Sequence, residues 1–290
     1  MIELPICIPK FQTLPGHTAG LSILYALDER IADAWVANNC ISVCFLYHED
    51  EDHLPYLQLM PVYTLSSCCL FEIFKYPYTD FELNHYNHMK SLHDFIKNSL
   101  ENQRYVSTSV DAYFLSCHSG IYKSHHFCHP IIVYGMEGNI LKVADHFIGS
   151  GGKFCLSEVS IDEFYKGLIS AHEEYQELNY LPNIYTIKLK EDYNDYFFSK
   201  RAVKSSLSQY INSDIVIGSN MASDNYFSKY KVGYDGLTAF LEYFKNLTEF
   251  NGIHVRLAHE LYTHTQIISL VAEQTQLFVE RSKENMRYAL

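Results

Sequence analysis

His129 and Asp145 make the most direct chemical suggestion in this chain. His129 opens the β-branched run His129-Pro130-Ile131-Ile132-Val133-Tyr134-Gly135, and Asp145 closes a second run, Val143-Ala144-Asp145. Between them, Met136-Glu137-Gly138-Asn139 predicts a hairpin turn. With the turn centred on Glu137-Gly138, residue 129 falls almost opposite residue 146. His129 and Asp145 are then near neighbours across the ladder if the register puts them on one face. A carboxylate beside an imidazole fixes its tautomer and stabilises the imidazolium. That is the base half of a nucleophile–His–Asp arrangement.

The missing part is a nucleophile at a helix N-terminus, where the helix dipole lowers a thiol's pKa. The early candidate is Pro15-Gly16-His17-Thr18-Ala19-Gly20-Leu21-Ser22, a turn that opens an apolar helix. It holds no cysteine. Thr18 is a weak substitute, because an internal Thr hydroxyl lacks the low pKa that makes Cys reactive. His17 is either a turn residue or an assistant to the nucleophile. Asp111 and Tyr122 either line a substrate pocket or are a buried polar residue and a core aromatic. His125, His126, Cys128 and His129 are zinc-type ligands, but a structural zinc site takes paired ligands from two separated segments. The sequence offers no second pair, so no metal site is expected. His254, His259 and His264 fall near helical spacing and are expected on an exposed helix face.

These residues need a frame. Leu21, Leu24 and Leu27 predict a helix over 18–27, and residues 29–48 read as helix then strand. Residues 3–9 form a short strand or arm, and 85–100 an amphipathic helix. Strands follow at 105–115, 130–135, 140–145 and 184–190. Ser160 with Glu163 is a capping box that starts a helix over 160–177. After about residue 195 the segments 200–211, 235–247 and 255–288 all read as helices. The expected division is therefore 1–195 and a helical C-terminal region, 196–290.

Composition narrows the partners. Twenty-two Lys and Arg face 34 Asp and Glu, for a formal net charge of −12. Phosphate neutralisation needs many cations, so nucleic acid and an anionic membrane surface are poor partners. No stretch has the apolar length of a membrane span, and the N-terminus lacks the pattern of a signal peptide. A cytoplasmic protein is expected, its eight cysteines mostly free thiols. Cys68-Cys69 read as buried small side chains and 49–52 as a solvated acidic loop. There is no phosphate-binding loop of the P-loop type.

At this point the pattern resembles the papain-like fold of bacteriocin-processing leader peptidases. It resembles more closely the N-terminal domain of butirosin-biosynthesis protein H and related thiotemplate enzymes. The likeness lies in the early helix opened by His17-Thr18-Ala19-Gly20, the strand Val110-Asp111-Ala112-Tyr113-Phe114-Leu115, the Tyr122 to His126 stretch, the His129 to Gly135 strand and the Val143 to Asp145 strand end. It covers roughly residues 10–190 and is most specific over 110–147. It implies an α+β papain-like fold, an N-terminal helix packed on an antiparallel sheet. It also implies a Cys nucleophile at position 18 or 19, best at 19, where this chain has Ala19. Two explanations stand: an engineered Cys→Ala change, or a natural pseudoenzyme. By the same likeness Gln12 would donate to an oxyanion.

The implied function is thiotemplate acyl transfer in secondary-metabolite biosynthesis. An acyl group would pass from a carrier-protein phosphopantetheine thioester through the Cys-His-Asp triad to an amine. The partners would be an acyl or peptidyl carrier protein and a small amine, with no cofactor bound by the chain itself. Alternatives are a cysteine peptidase or amidase, or a catalytically dead papain-like ligand-binding protein. The number and apolar content of the C-terminal helices suggest a homodimer.

Overall fold

A computed structural model describes residues 1–12, 15–46, 56–59, 70–77, 87–146, 152–177, 183–213, 231–246 and 252–288. Cys68-Cys69 and the acidic run 49–52 lie outside them. The chain is an α+β protein on antiparallel sheets, and it divides into two compact units. One comprises Met1–Leu27 and Thr64–Tyr193; the other comprises Asp28–Tyr63 and Asn194–Leu290.

The first unit carries a seven-stranded sheet. Its strands are β1 (Ile2–Glu3), β4 (Phe71–Pro77), β5 (Tyr105–Asp111), β6 (Cys128–Glu137), β7 (Ile140–His146), β8 (Phe154–Ser160) and β9 (Asn183–Leu189). The order is β4-β9-β5-β6-β7-β8, with β1 pairing onto β6. Helices α1 (Pro15–Leu27), α3 (Asn87–Glu101) and α4 (Ile161–Glu177) complete it. Pro15 stands at the first helical position, where its missing N–H costs nothing. The predicted hairpin forms, with Gly138 at φ 58° in the turn between Glu137 and Ile140. The capping box also forms: Ser160 N and Oγ both donate to Glu163 Oε2, at 2.9 and 2.8 Å, and Glu163 N donates back to Ser160 Oγ at 3.2 Å. The strand predicted over 105–115 stops at Asp111. There Asp111 caps a short 3-10 turn, Ala112–Phe114, by accepting from Tyr113 N.

The second unit holds α2 (Glu29–Asn39), a three-stranded sheet of β2 (Val43–Leu46), β3 (Tyr56–Leu59) and β10 (Lys231–Val232), and helices α5 (Lys200–Asn212), α6 (Gly233–Lys245) and α7 (Gly252–Tyr288). This corrects the expected division at 195/196, because 28–63 joins the C-terminal unit. There α2 packs on α5 and α7, β2 packs on α6, and one side chain of α2 bonds across to the C-terminal segment. Asn38 Nδ2 donates to Tyr196 Oη (3.2 Å) and Phe197 O (3.0 Å), and Asn38 Oδ1 accepts from Ser199 N (2.8 Å). His264 is a second correction. It is buried, not on an exposed face, and its Nε2 lies 2.9 Å from Ile41 O.

Candidate active site

The β6–β7 ladder decides whether His129 and Asp145 can meet. A register shift between Val133 and Gly135 resets the pairing, so that Ile132 stands opposite Ala144. Continuing that register puts Asp145 opposite Ile131, with His129 two residues along the same face. His129 is therefore diagonal to Asp145. The turn falls on Gly138-Asn139 and not on Glu137-Gly138, which moves the expected partner of 129 two residues past 146, and the bulge takes one of those back. The diagonal is within reach: His129 Nδ1 and Asp145 Oδ2 are 2.6 Å apart. With the carboxylate ionised, Nδ1–H donates, which leaves Nε2 as the lone-pair nitrogen.

Asp145 has a second imidazole. The His118 side chain is 0% exposed, and its Nε2 lies 3.4 Å from the same Oδ2. The two rings stand edge to face at 6.1 Å. Asp145 Oδ1 accepts from His146 N at 2.6 Å. Burial pushes the Asp145 carboxyl up, but the bonds from His118 and His129 outweigh it and hold the group below the ordinary carboxyl range. The site thus centres on a buried anion held between two histidines. One of them, His129, is 14% exposed. Phe127 stacks on His129 at 5.6 Å and 27°.

His118 is absent from the sequence reading. It lies in Ser116-Cys117-His118-Ser119-Gly120, a turn-rich stretch without periodicity. Only the fold reveals it.

The position expected for a nucleophile is on α1, which packs against β6 and β7. Thr18 and Ala19 are both buried there, and Ser22 Oγ donates to Ala19 O at 2.6 Å. The backbone of His17 lies in the first turns of α1, and its side chain is outside the described residues. Gln12 Oε1 accepts from Phe154 N at 3.0 Å, on the residue paired with His146. Its amide is thereby fixed beside the strand that follows Asp145.

Asp111 is not brought to His129. In the β5–β6 ladder His129 pairs with Val110 and Cys128 with Asp111, so Asp111 shares the face of Cys128. It is fully buried and accepts from Tyr113 N (3.0 Å), Phe127 N (3.0 Å) and Ser170 Oγ (2.7 Å), with His126 Nδ1 at 2.5 Å. Burial raises its carboxyl pKa and these four bonds more than offset that, leaving it low. Gly167 lets α4 lie close, because a Cβ there would meet Asp111 O at 2.9 Å. Of its two expected roles Asp111 takes that of a buried polar residue, and it anchors both ends of the 112–127 connection that carries His118. Tyr122 is half-buried in that connection, with the Lys123 ammonium over its ring at 4.9 Å.

The six described cysteines are free thiols. Cys128, next to His129 in sequence, points to the other face and donates to Glu174 Oε2 at 2.9 Å. Burial and then Glu174 push its thiol well above the usual range. Burial, reinforced by the Asp145 charge, pushes the Cys117 thiol up to about 12. Neither is an activated nucleophile. Cys155 pairs directly with Asp145 across the β7–β8 ladder, and its thiol donates to Lys153 O at 3.2 Å. Among the described residues no group of three His, Cys, Asp or Glu is placed to hold a metal ion. No described helix is long and apolar enough to cross a membrane.

A scan of the chain against protein-family models finds no match, and neither does a search of curated proteins.

Proposed function

We propose that the first unit is a papain-like acyl-transfer site, built to move an acyl group from a carrier-protein thioester to an amine, with Ala19 at the place of the nucleophilic cysteine. The observation that carries this reading is the His129–Asp145 contact at 2.6 Å, made to a buried anion on a strand against which α1 packs. In the full reaction a thiol at position 19 gives its proton to His129 Nε2. The thiolate attacks the acyl carbon of the phosphopantetheine thioester. The carrier thiol leaves with a proton from His129. An amine then attacks the enzyme thioester, His129 takes its proton, and amide and free enzyme thiol are formed. Thioester-to-amide exchange is downhill, so the cycle needs no ATP. Asp145 stabilises the imidazolium that forms twice per turnover. The Gln12 amide would lie at the oxyanion.

With Ala19 the chain can bind the thioester and cannot carry the acyl group. That supports a second reading, a ligand-binding protein on a dead catalytic fold. A peptidase or amidase would use the same residues on a peptide carbonyl.

The test is the Ala19→Cys variant, made in a Cys155→Ser background and incubated with an acyl-phosphopantetheinyl thioester, then read by intact mass. One acyl adduct is expected, absent with Ala19 and slowed about 10²- to 10⁴-fold by His129→Ala. Release by an added amine, with amide product, would mark a transferase. Release by water, or cleavage of peptides instead, would mark a hydrolase. If the installed thiol stays unmodified by every thioester and peptide, the catalytic reading fails and the binding reading stands.

A further inference from the structure

The second unit contains an open groove of about 670 Å³ between α5 and α7. That lies in the size range of small-ligand sites. Its wall is mostly apolar: Phe198 at one end, Val203, Leu207 and Ile211 along α5, and Phe278 and Val279 from α7. Val203, Leu207 and Ile211 repeat at i, i+4 and i+8, which is one stripe of a helix. Ile211 remains 67% exposed, and Phe278 and Val279 are exposed too. These are apolar side chains left open to water in one place.

Two of the lining residues are cations. Lys200 and Lys204 stand one turn apart at the start of α5. The helix also carries Arg201 and has no acidic residue. Lys200 and Lys204 enter no ion pair among the described residues. The nearby acid on α7, Glu280, accepts from Gln276 Nε2 at 2.9 Å and does not line the groove. In a chain of net charge −12 this pair is a local positive spot against the general field.

A cationic end followed by an apolar stripe fits one chemistry. We propose that the groove binds a single-chain fatty carboxylate, its hydrocarbon along Val203, Leu207 and Ile211 and its head group between Lys200 and Lys204. From Lys200 to Ile211 the helix runs about 16 Å at its 1.5 Å rise, which suits dodecanoate. This proposal is independent of the acyl-transfer reading, because none of its residues belongs to the first unit.

The test is calorimetric titration of the full chain with dodecanoate below its micelle concentration, with dodecanol and dodecyltrimethylammonium as matched probes. Dodecanoate is expected to bind one per chain in the micromolar range. Dodecanol should bind at least tenfold more weakly, and the cation not at all. Lys200→Glu/Lys204→Glu, both on exposed side chains, should weaken dodecanoate at least tenfold and leave dodecanol within twofold. Ile211→Asp should weaken both. Circular dichroism checks that each variant is folded. The proposal is overturned if dodecanoate gives no saturable heat, if dodecanol binds as tightly, or if the double charge reversal leaves dodecanoate unchanged. It is also overturned if sedimentation shows a dimer that Ile211→Asp dissolves while the original chain ignores dodecanoate. The groove is then a self-interface.

Discussion

Asp145 is an anion shared by two imidazoles, and its energetics follow from that sharing. A buried carboxylate is costly unless donors surround it. Here His129 Nδ1 lies at 2.6 Å and His118 Nε2 at 3.4 Å from Oδ2, and His146 N at 2.6 Å from Oδ1. The folded-state pKa of Asp145 is below its ordinary value. The sign follows from linkage. A carboxyl with a depressed folded pKa contributes stability that is fully present above its unfolded value, about 3.9, and is lost as pH falls toward the folded value. Asp145→Asn removes that anion. It is expected to destabilise the first unit by about 3 kcal/mol at pH 7, and the gap between the two proteins should shrink below about pH 4. Thermal melts followed by far-UV circular dichroism between pH 3 and 7 check this. A gap that stays constant with pH would mean that Asp145 is not ionised in the fold.

Helices and strands carry residues across the chain in ways the sequence shows unevenly. His264 illustrates the difficulty. Its spacing with His259 suggests an exposed face, yet it is buried in α7 and its Nε2 lies 2.9 Å from the carbonyl of Ile41, after α2. Burial lowers its pKa, only partly opposed by the Ile41 bond. A histidine with a depressed folded pKa is neutral in the fold. Its contribution is therefore full above its unfolded value, about 6.5, and is lost as pH falls below it. His264→Gln keeps a donor for Ile41 and removes the titration. The original chain should lose melting temperature faster than this variant between pH 6.5 and 5, and parallel curves would refute the assignment.

The hairpin that presents His129 was readable, because Gly138 and two β-branched runs are local signals. Its register was not, because the turn closes on Gly138-Asn139 and the shift between Val133 and Gly135 then resets the pairing; Gly135 itself pairs with Glu3 of β1, and a Cβ there would meet the Ile2 carbonyl at 2.9 Å. The face of Asp111 was equally hidden. It follows from the pairing of Val110 with His129, and that is set only when β5 and β6 align. His118 needed the same information: its part in the site exists only once Asp111 has anchored both ends of the 112–127 connection.

At the scale of the whole molecule, the chain leaves the first unit at Asp28 and returns to it after Tyr63. A fragment of residues 1–193 therefore keeps α2 and β2 and loses α5, α6 and α7, which cover them. Val36, Ala37, Ile41 and Val43 are each 0 or 1% exposed in the full chain, and removing their cover leaves an apolar face that water does not tolerate. The chain provides its own reporter, since its single tryptophan, Trp35, is on α2 and 6% exposed. In the full chain Trp35 fluorescence should be blue-shifted and weakly quenched by iodide. In the 1–193 fragment it should shift to the red and become accessible to iodide, and the fragment should bind a hydrophobic dye. Adding residues 194–290 as a separate chain should restore the blue-shifted emission, because Asn38 regains Tyr196, Phe197 and Ser199. A fragment that keeps a blue-shifted, protected Trp35 alone would mean that 28–63 packs with the first unit, and the division argued from Asn38 would be wrong.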